Sequence, residues 1–149
     1  MKKRWLALVV VFLAWTLVLL MAVMVVDVTW QVASRFLIQA PSSFTEELAG
    51  FLLIWIGLLG AAYGFRTRAH LGIDLLVGRL GPSSRRAAEV LGHGLVFLFA
   101  LTTMAVGGTR LVLLAFHLDQ ISAAMGIRVG FVYLALPLSG LLIMAFSLE

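Results

Sequence analysis

The stretch that decides the fold is Trp5–Val26, WLALVVVFLAWTLVLLMAVMVV, which holds no charged residue, no glycine and no proline. A helix rises about 1.5 Å per residue, so about 20 such residues cross a hydrocarbon core of about 30 Å. Its apolar character is continuous, not alternating, so no face is left for water. Lipid offers the backbone no hydrogen-bond partners, and a helix satisfies that backbone within the segment. Three further stretches lack Asp, Glu, Lys and Arg: Leu48–Phe65, Val90–Thr109 with His93 inside it, and Val129–Leu148. The alternation of barrel strands is absent. The expectation is an all-α membrane protein, a single four-helix integral membrane domain over residues 1–149 with spans at 5–26, 48–65, 90–109 and 129–148.

The whole-chain numbers agree. Of 149 residues, 62% are hydrophobic and only 12% charged, against about 25% charged in soluble domains. The mean hydropathy is +1.10. A disordered chain is excluded and a water-soluble globule is disfavoured. There is no cysteine, which excludes a disulfide scaffold and any thiolate site. The net charge of +4 and pI near 10.4 do not indicate nucleic acid, because no basic cluster with interleaved aromatics is present. They fit loop charges that orient a membrane protein.

Of the eleven Lys and Arg residues, Lys2, Lys3, Arg4, Arg66, Arg68, Arg79, Arg85 and Arg86 fall on one side of the four spans; Arg35, Arg110 and Arg128 fall on the other. The positive-inside rule then places both termini in the cytoplasm. Trp5, Trp30 and Tyr63 fall near the expected interfaces, where amphipathic rings sit well. Lys2–Arg4 also resembles the start of a signal peptide, yet the apolar run is long and no small-x-small cleavage site follows, so it reads as an uncleaved anchor.

The connections add detail. Gln39–Ser43 is a polar turn, and Ser43 or Thr45 is a candidate cap for the next helix, with Glu46 and Glu47 at its positive end. In the loop between spans two and three, Leu71–Leu80 is apolar but short and holds Asp74 and Arg79. It reads as an interfacial helix on the cytoplasmic surface, stopped by Gly81-Pro82 and followed by a restart at Ser83 or Ser84.

Polar residues gather near the span ends. Asp27, Gln31 and Arg35 share a helix face at i, i+4 and i+8, a stripe that suits either docking of another helix or solvation at headgroup level. Arg35 has two candidate settings, an ion pair with Glu46 or Glu47 across the turn, or a solvated loop. Glu46 and Glu47 diverge by about 100° on a helix and so do not face one target. Arg110 lies either at the outer boundary or, if its helix starts later, inside the membrane, where Asp119, Glu46 and Glu47 are candidate partners and snorkelling to phosphate is the alternative. His93 and His117 are too far apart on one helix to ligate one haem iron. No cofactor or metal is indicated, and no HExxH, GxSxG, P-loop or GxGxxG motif is present in a chemically sensible setting. Gly60–Gly64 and Gly126–Gly130 are spaced for close helix approach. Pro137 frees the carbonyl of Tyr133, so a kink is expected in span four.

The ordered series Arg35-Phe36, Pro41, Phe44-Thr45-Glu46-Glu47-Leu48, Trp55, Gly60-Ala61-Ala62, Arg66 and His70-x-x-x-Asp74 resembles the small membrane subunit of tripartite ATP-independent periplasmic (TRAP) transporters, the DctQ-like family. Phe44 stands where that family often has Trp. The resemblance covers essentially the whole chain. It implies four transmembrane helices and a fixed scaffold beside a large multi-spanning subunit that carries the substrate and sodium sites. It also implies a periplasmic solute-binding protein that delivers an organic acid or similar solute, and a place in the bacterial inner membrane. Arg35, Glu46, Glu47, Trp55, Arg66, His70 and Asp74 match family positions and are read as structural or interface residues.

The residues themselves lead the same way. A solute carrier needs polar groups or broken helices at mid-membrane, and these spans are nearly clean. The expected role is a non-catalytic accessory subunit that contacts lipid and the large subunit. Asp27, Gln31, Gly60 and Gly64 join the interface or structural candidates; Arg35, Glu46 and Arg110 are the candidates for docking the binding protein. The alternative is a self-sufficient homo-oligomeric multidrug-type carrier using Asp27.

Overall fold

The computed structural model describes residues 2–39, 42–67 and 82–147. Span one is α1 (Lys2–Ala33), which continues without a break into a π-helical turn, Ser34–Ile38. Span two is α2 (Ser43–Arg66). Span three is a continuous helical rod made of α3 (Pro82–Phe99), a π-helical stretch (Ala100–Gly107) and α4 (Gly108–His117). Span four is α5 (Gly130–Tyr133) and α6 (Ala135–Ser147). All four are long and apolar enough to cross a membrane. Among the described residues there is no strand, only an isolated antiparallel bridge between Ile121 and Arg128.

The helices overrun the charge-free stretches. Span one runs through Asp27 and Arg35, and span three runs from Pro82 to His117 through Arg110. A charge near a helix end is far cheaper than one at the membrane centre, so charges limit the hydrocarbon-facing stretch without ending the helix. The cap of α2 also differs in position from expectation. It is Ser42, whose Oγ accepts from the Thr45 amide at 3.5 Å, while the Thr45 hydroxyl donates back to the Ser42 carbonyl at 2.9 Å. Span three starts at Pro82, ahead of Ser83 and Ser84, as proline's missing N–H and fixed φ favour at a first helical position. The expected interfacial helix over Leu71–Leu80, with His70 and Asp74, lies outside the described residues.

The spans form a row in the order one, two, four, three. Among the described residues, the backbone of span one comes alongside span two only, span two also meets span four, and span four lies against span three. A short turn forces spans one and two to be antiparallel neighbours. The place of span four follows from small residues. A Cβ on Gly140 would lie 2.7 Å from the Met104 Cβ, and one on Gly108 2.9 Å from the Leu136 Cβ. With Ala100 and Ala135 fully buried, these glycines let the two backbones approach closely. Among the described residues, Gly60 has open space around it instead. Gly126 has φ +67° and open space, which marks it as a turn residue, whereas Gly130 packs against the Phe116 ring. Span four is interrupted at Leu134, just after the Tyr133 carbonyl that Pro137 cannot serve.

The core joins Leu13, Leu59, Ala62, Ala100, Met104, Ile143 and Phe146. It is thin. In the most apolar stretch of span one only 6% of residues are buried, against 39% in span four.

Candidate functional site

The polar residues fall into three groups, and the group at the Ser42 end of span two is the most developed. The connection between spans three and four, residues 118–129, is a small hairpin. The Ser122 amide donates to the Ile127 carbonyl at 2.8 Å, the Gly126 amide to the Ser122 carbonyl at 3.1 Å, and the Val129 amide to the Gln120 carbonyl at 2.9 Å. Gly126 supplies the positive φ that the turn requires. Asp119 and Arg128 pair at 3.1 Å across its base.

Glu47 holds this hairpin. Its Oε2 accepts from the Ala124 amide at 2.8 Å and the Met125 amide at 2.9 Å, and Ser122, buried beneath, offers its Oγ to the Met125 amide at 3.2 Å. A carboxylate that accepts two amides makes charge-assisted bonds, roughly twice as strong as neutral ones. Residue spacing gave no signal for this pairing, since the partners lie 77 and 78 positions away.

Glu46 faces elsewhere. With Gln31, Arg35 and Ser42 it lines a small cavity of about 60 Å³ between the end of span one and the start of span two. The cavity brings together three of the expected site residues. Among the described residues, no Arg35 ion pair forms within 4.0 Å to Glu46 or Glu47; Glu47 is turned toward the hairpin. Arg35 and Glu46 are both exposed.

Asp27 lies deeper on the same stripe. It is only 7% exposed, and its Oδ2 has no hydrogen-bond partner. Span two is the helix whose backbone comes alongside span one. Ser34 and Thr45, 3% and 5% exposed, extend a polar seam toward the cavity; the Ser34 hydroxyl is spent on the Gln31 carbonyl at 3.0 Å.

The Arg66 end of span two, opposite Ser42, gathers aromatic and basic residues. Arg66 sits over the Phe146 ring at 5.9 Å. Phe65 and His93 meet edge to face at 5.8 Å, and the Ser147 hydroxyl donates to the His93 carbonyl at 3.1 Å. Trp55 packs half-buried against the core. Arg66 and Trp55 therefore brace helices of this chain, and Gly64 is half-buried beside them. Arg110 shares none of these sites: it is exposed on α4, and Asp119 and Glu47, two of its candidate partners, are engaged elsewhere.

A row of four apolar helices with polar clusters at both ends defines a multi-pass helical membrane protein. A family model described as "Tripartite ATP-independent periplasmic transporters, DctQ component" matches residues 24–149, and the chain belongs to that family. The C4-dicarboxylate TRAP transporter small permease protein DctQ of Rhodobacter capsulatus is 38% identical over 95 residues, covering 64% of this chain and 41% of that protein, so the chain spans less than half of that relative. The sialic acid TRAP transporter small permease protein SiaQ of Vibrio cholerae is 28% identical over 130 residues, covering 87% and 73%. The sialic acid TRAP transporter permease protein SiaT of Haemophilus influenzae is 27% identical over 114 residues, covering 76% of this chain but 18% of that protein.

Proposed function

We propose that the chain is a small permease subunit that scaffolds a large transport subunit during cation-coupled uptake of an organic acid or similar solute. A periplasmic solute-binding protein delivers the solute. The subunit does no chemistry of its own, and it lies in the bacterial inner membrane with both termini cytoplasmic and Leu71–Leu80 along the cytoplasmic surface. The observation that carries this reading is the match to a segment making up 18% of a longer permease protein. Where such a segment is part of a larger permease, its natural neighbour is the rest of that permease. The thin core supports the same role, because span one leaves nearly its whole apolar surface for lipid or a neighbour. The open space at Gly60 suits close approach of a partner helix, while Arg35 and Glu46, exposed at the Ser42 end, suit docking of the binding protein.

A stand-alone carrier using Asp27 has one observation in its favour, the buried unpartnered oxygen. One buried carboxylate oxygen is not a route, whereas a transported ion needs polar groups along its path. The test is affinity purification of the tagged chain from its native membrane in mild detergent. A stoichiometric large hydrophobic companion is expected. A chain that purifies alone as a homo-oligomer overturns the scaffold reading.

A further inference from the structure

Arg110 stands on α4, seven residues before its last residue, His117. At about 1.5 Å per residue its backbone lies about 10 Å below that helix end. Seven residues is close to two turns, so Arg110 and His117 share one face, with Leu113 and Leu114 between them. All four are exposed. The buried face of α4 is the other one, Gly108, Val112 and Ala115. Among the described residues, no carboxylate lies within ion-pair distance of Arg110.

A guanidinium at that depth is costly unless its stem lies along apolar surface and its head reaches the polar layer. A long arginine stem can carry the head up by about one helical turn, about 5.4 Å, to the level of Leu114, and His117, whose imidazole offers an N–H in either protonation state, stands just under one turn above it. The result is a ladder of two donors with leucines between them. It matches an amphiphile whose anionic group sits above an acyl chain.

We propose that Arg110 and His117 seat the phosphate of a phospholipid in the leaflet at the Asp119–Arg128 end, with an acyl chain running down past Leu113 and Leu114 toward Val106. The donors are complementary to phosphate in charge and geometry, since guanidinium binds it through paired N–H groups. This site rests on the membrane-spanning reading alone and is independent of the scaffold role.

The test is native mass spectrometry of the full chain released from nanodiscs of phosphatidylethanolamine and phosphatidylglycerol in equal parts. One retained phospholipid is expected. Its occupancy falls about fivefold in Arg110→Leu, as removal of one basic contact near a lipid surface implies, falls less in His117→Ala, and is largely kept in Arg110→Lys. Equal retention in Arg110→Leu and the unaltered chain overturns the proposal. A photo-crosslinking amino acid at Leu114, in cells, gives a second readout that leaves Arg110 in place. A phospholipid adduct supports the seat, and an adduct to another polypeptide overturns it.

Discussion

Glu47 Oε2 accepts the amide hydrogen of Met125 at 2.9 Å, a bond that ties the start of span two to the hairpin between spans three and four. Two amides share this carboxylate, so its loss takes the acceptor from the Ala124 amide and leaves the Met125 amide only its longer bond to Ser122 Oγ. Glu47→Ala is expected to lower the melting temperature of the detergent-solubilised chain by a few degrees, and Glu47→Gln, which keeps an acceptor oxygen, by less. Tryptophan fluorescence during heating measures this. Equal melting of all three proteins would show that the clasp contributes nothing.

Gly140 and Gly60 should respond oppositely to an added side chain. A Cβ at Gly140 meets Met104, Ala105 and Ala100 within 3.2 Å, so Gly140→Val forces spans three and four apart at a cost of about 1–3 kcal/mol, the usual range for overpacking. Gly60→Ala meets nothing and, since Ala favours a helix interior over Gly by up to about 1 kcal/mol, should leave the isolated chain at least as stable as before. If Gly60 lies against a partner subunit, the same change weakens copurification of the complex. Melting curves and pull-downs of the two variants, run side by side, separate internal from external packing.

Asp27 offers a test between the two functional readings. Its Oδ2 is buried without a partner, and an apolar replacement of a buried, unsatisfied group is neutral or stabilising. Asp27→Leu is therefore expected to keep or raise the melting temperature and to leave uptake by the assembled transporter within about twofold. Complete loss of uptake with an intact, well-folded complex would instead favour the carrier reading.

Arg35 and Glu46 are exposed on either side of one cavity. Charges at the rim of an interface act mainly on association rate and salt dependence. Arg35→Ala and Glu46→Ala should raise the concentration of binding protein needed for half-maximal uptake about threefold to tenfold, with assembly unchanged and with a shallower dependence on ionic strength. Uptake titrations in proteoliposomes at two salt concentrations give the answer, and indistinguishable curves would remove both residues from the docking surface.

Orientation is directly measurable because the chain has no cysteine of its own. A single cysteine at Ala124, in the hairpin, should react with a membrane-impermeant maleimide added from outside, and one at Thr67 should react only after the membrane is opened. The reverse pattern would invert the topology derived from the Lys and Arg count.

The four spans were legible because continuous apolar runs have one economical structure in lipid. The divergence of Glu46 and Glu47 was legible too, since helix geometry alone turns neighbours apart. The order of the spans was not. It depends on where Gly108 and Gly140 meet another helix, and glycines at Gly60 and Gly64 carry the same local signature. Nor could spacing reveal the partner of Glu47, because a backbone amide leaves no trace in residue type. The cap is Ser42, one residue before Ser43 and three before Thr45, and adjacent serines with the same capping chemistry give no cue for choosing between them. The helices outlasted Asp27 and Arg110 because charge says where lipid contact ends and not where hydrogen bonding does.

The row order has a consequence for how this chain can change. Spans one and three sit at its two ends, and no described part of their backbones comes within packing distance. Substitutions that share no neighbours combine additively. The outward faces of the two edges can therefore drift independently, one fitted to its surroundings without retuning the other, while the core that Leu13 shares with Ala100 and Met104 carries the constraint for both.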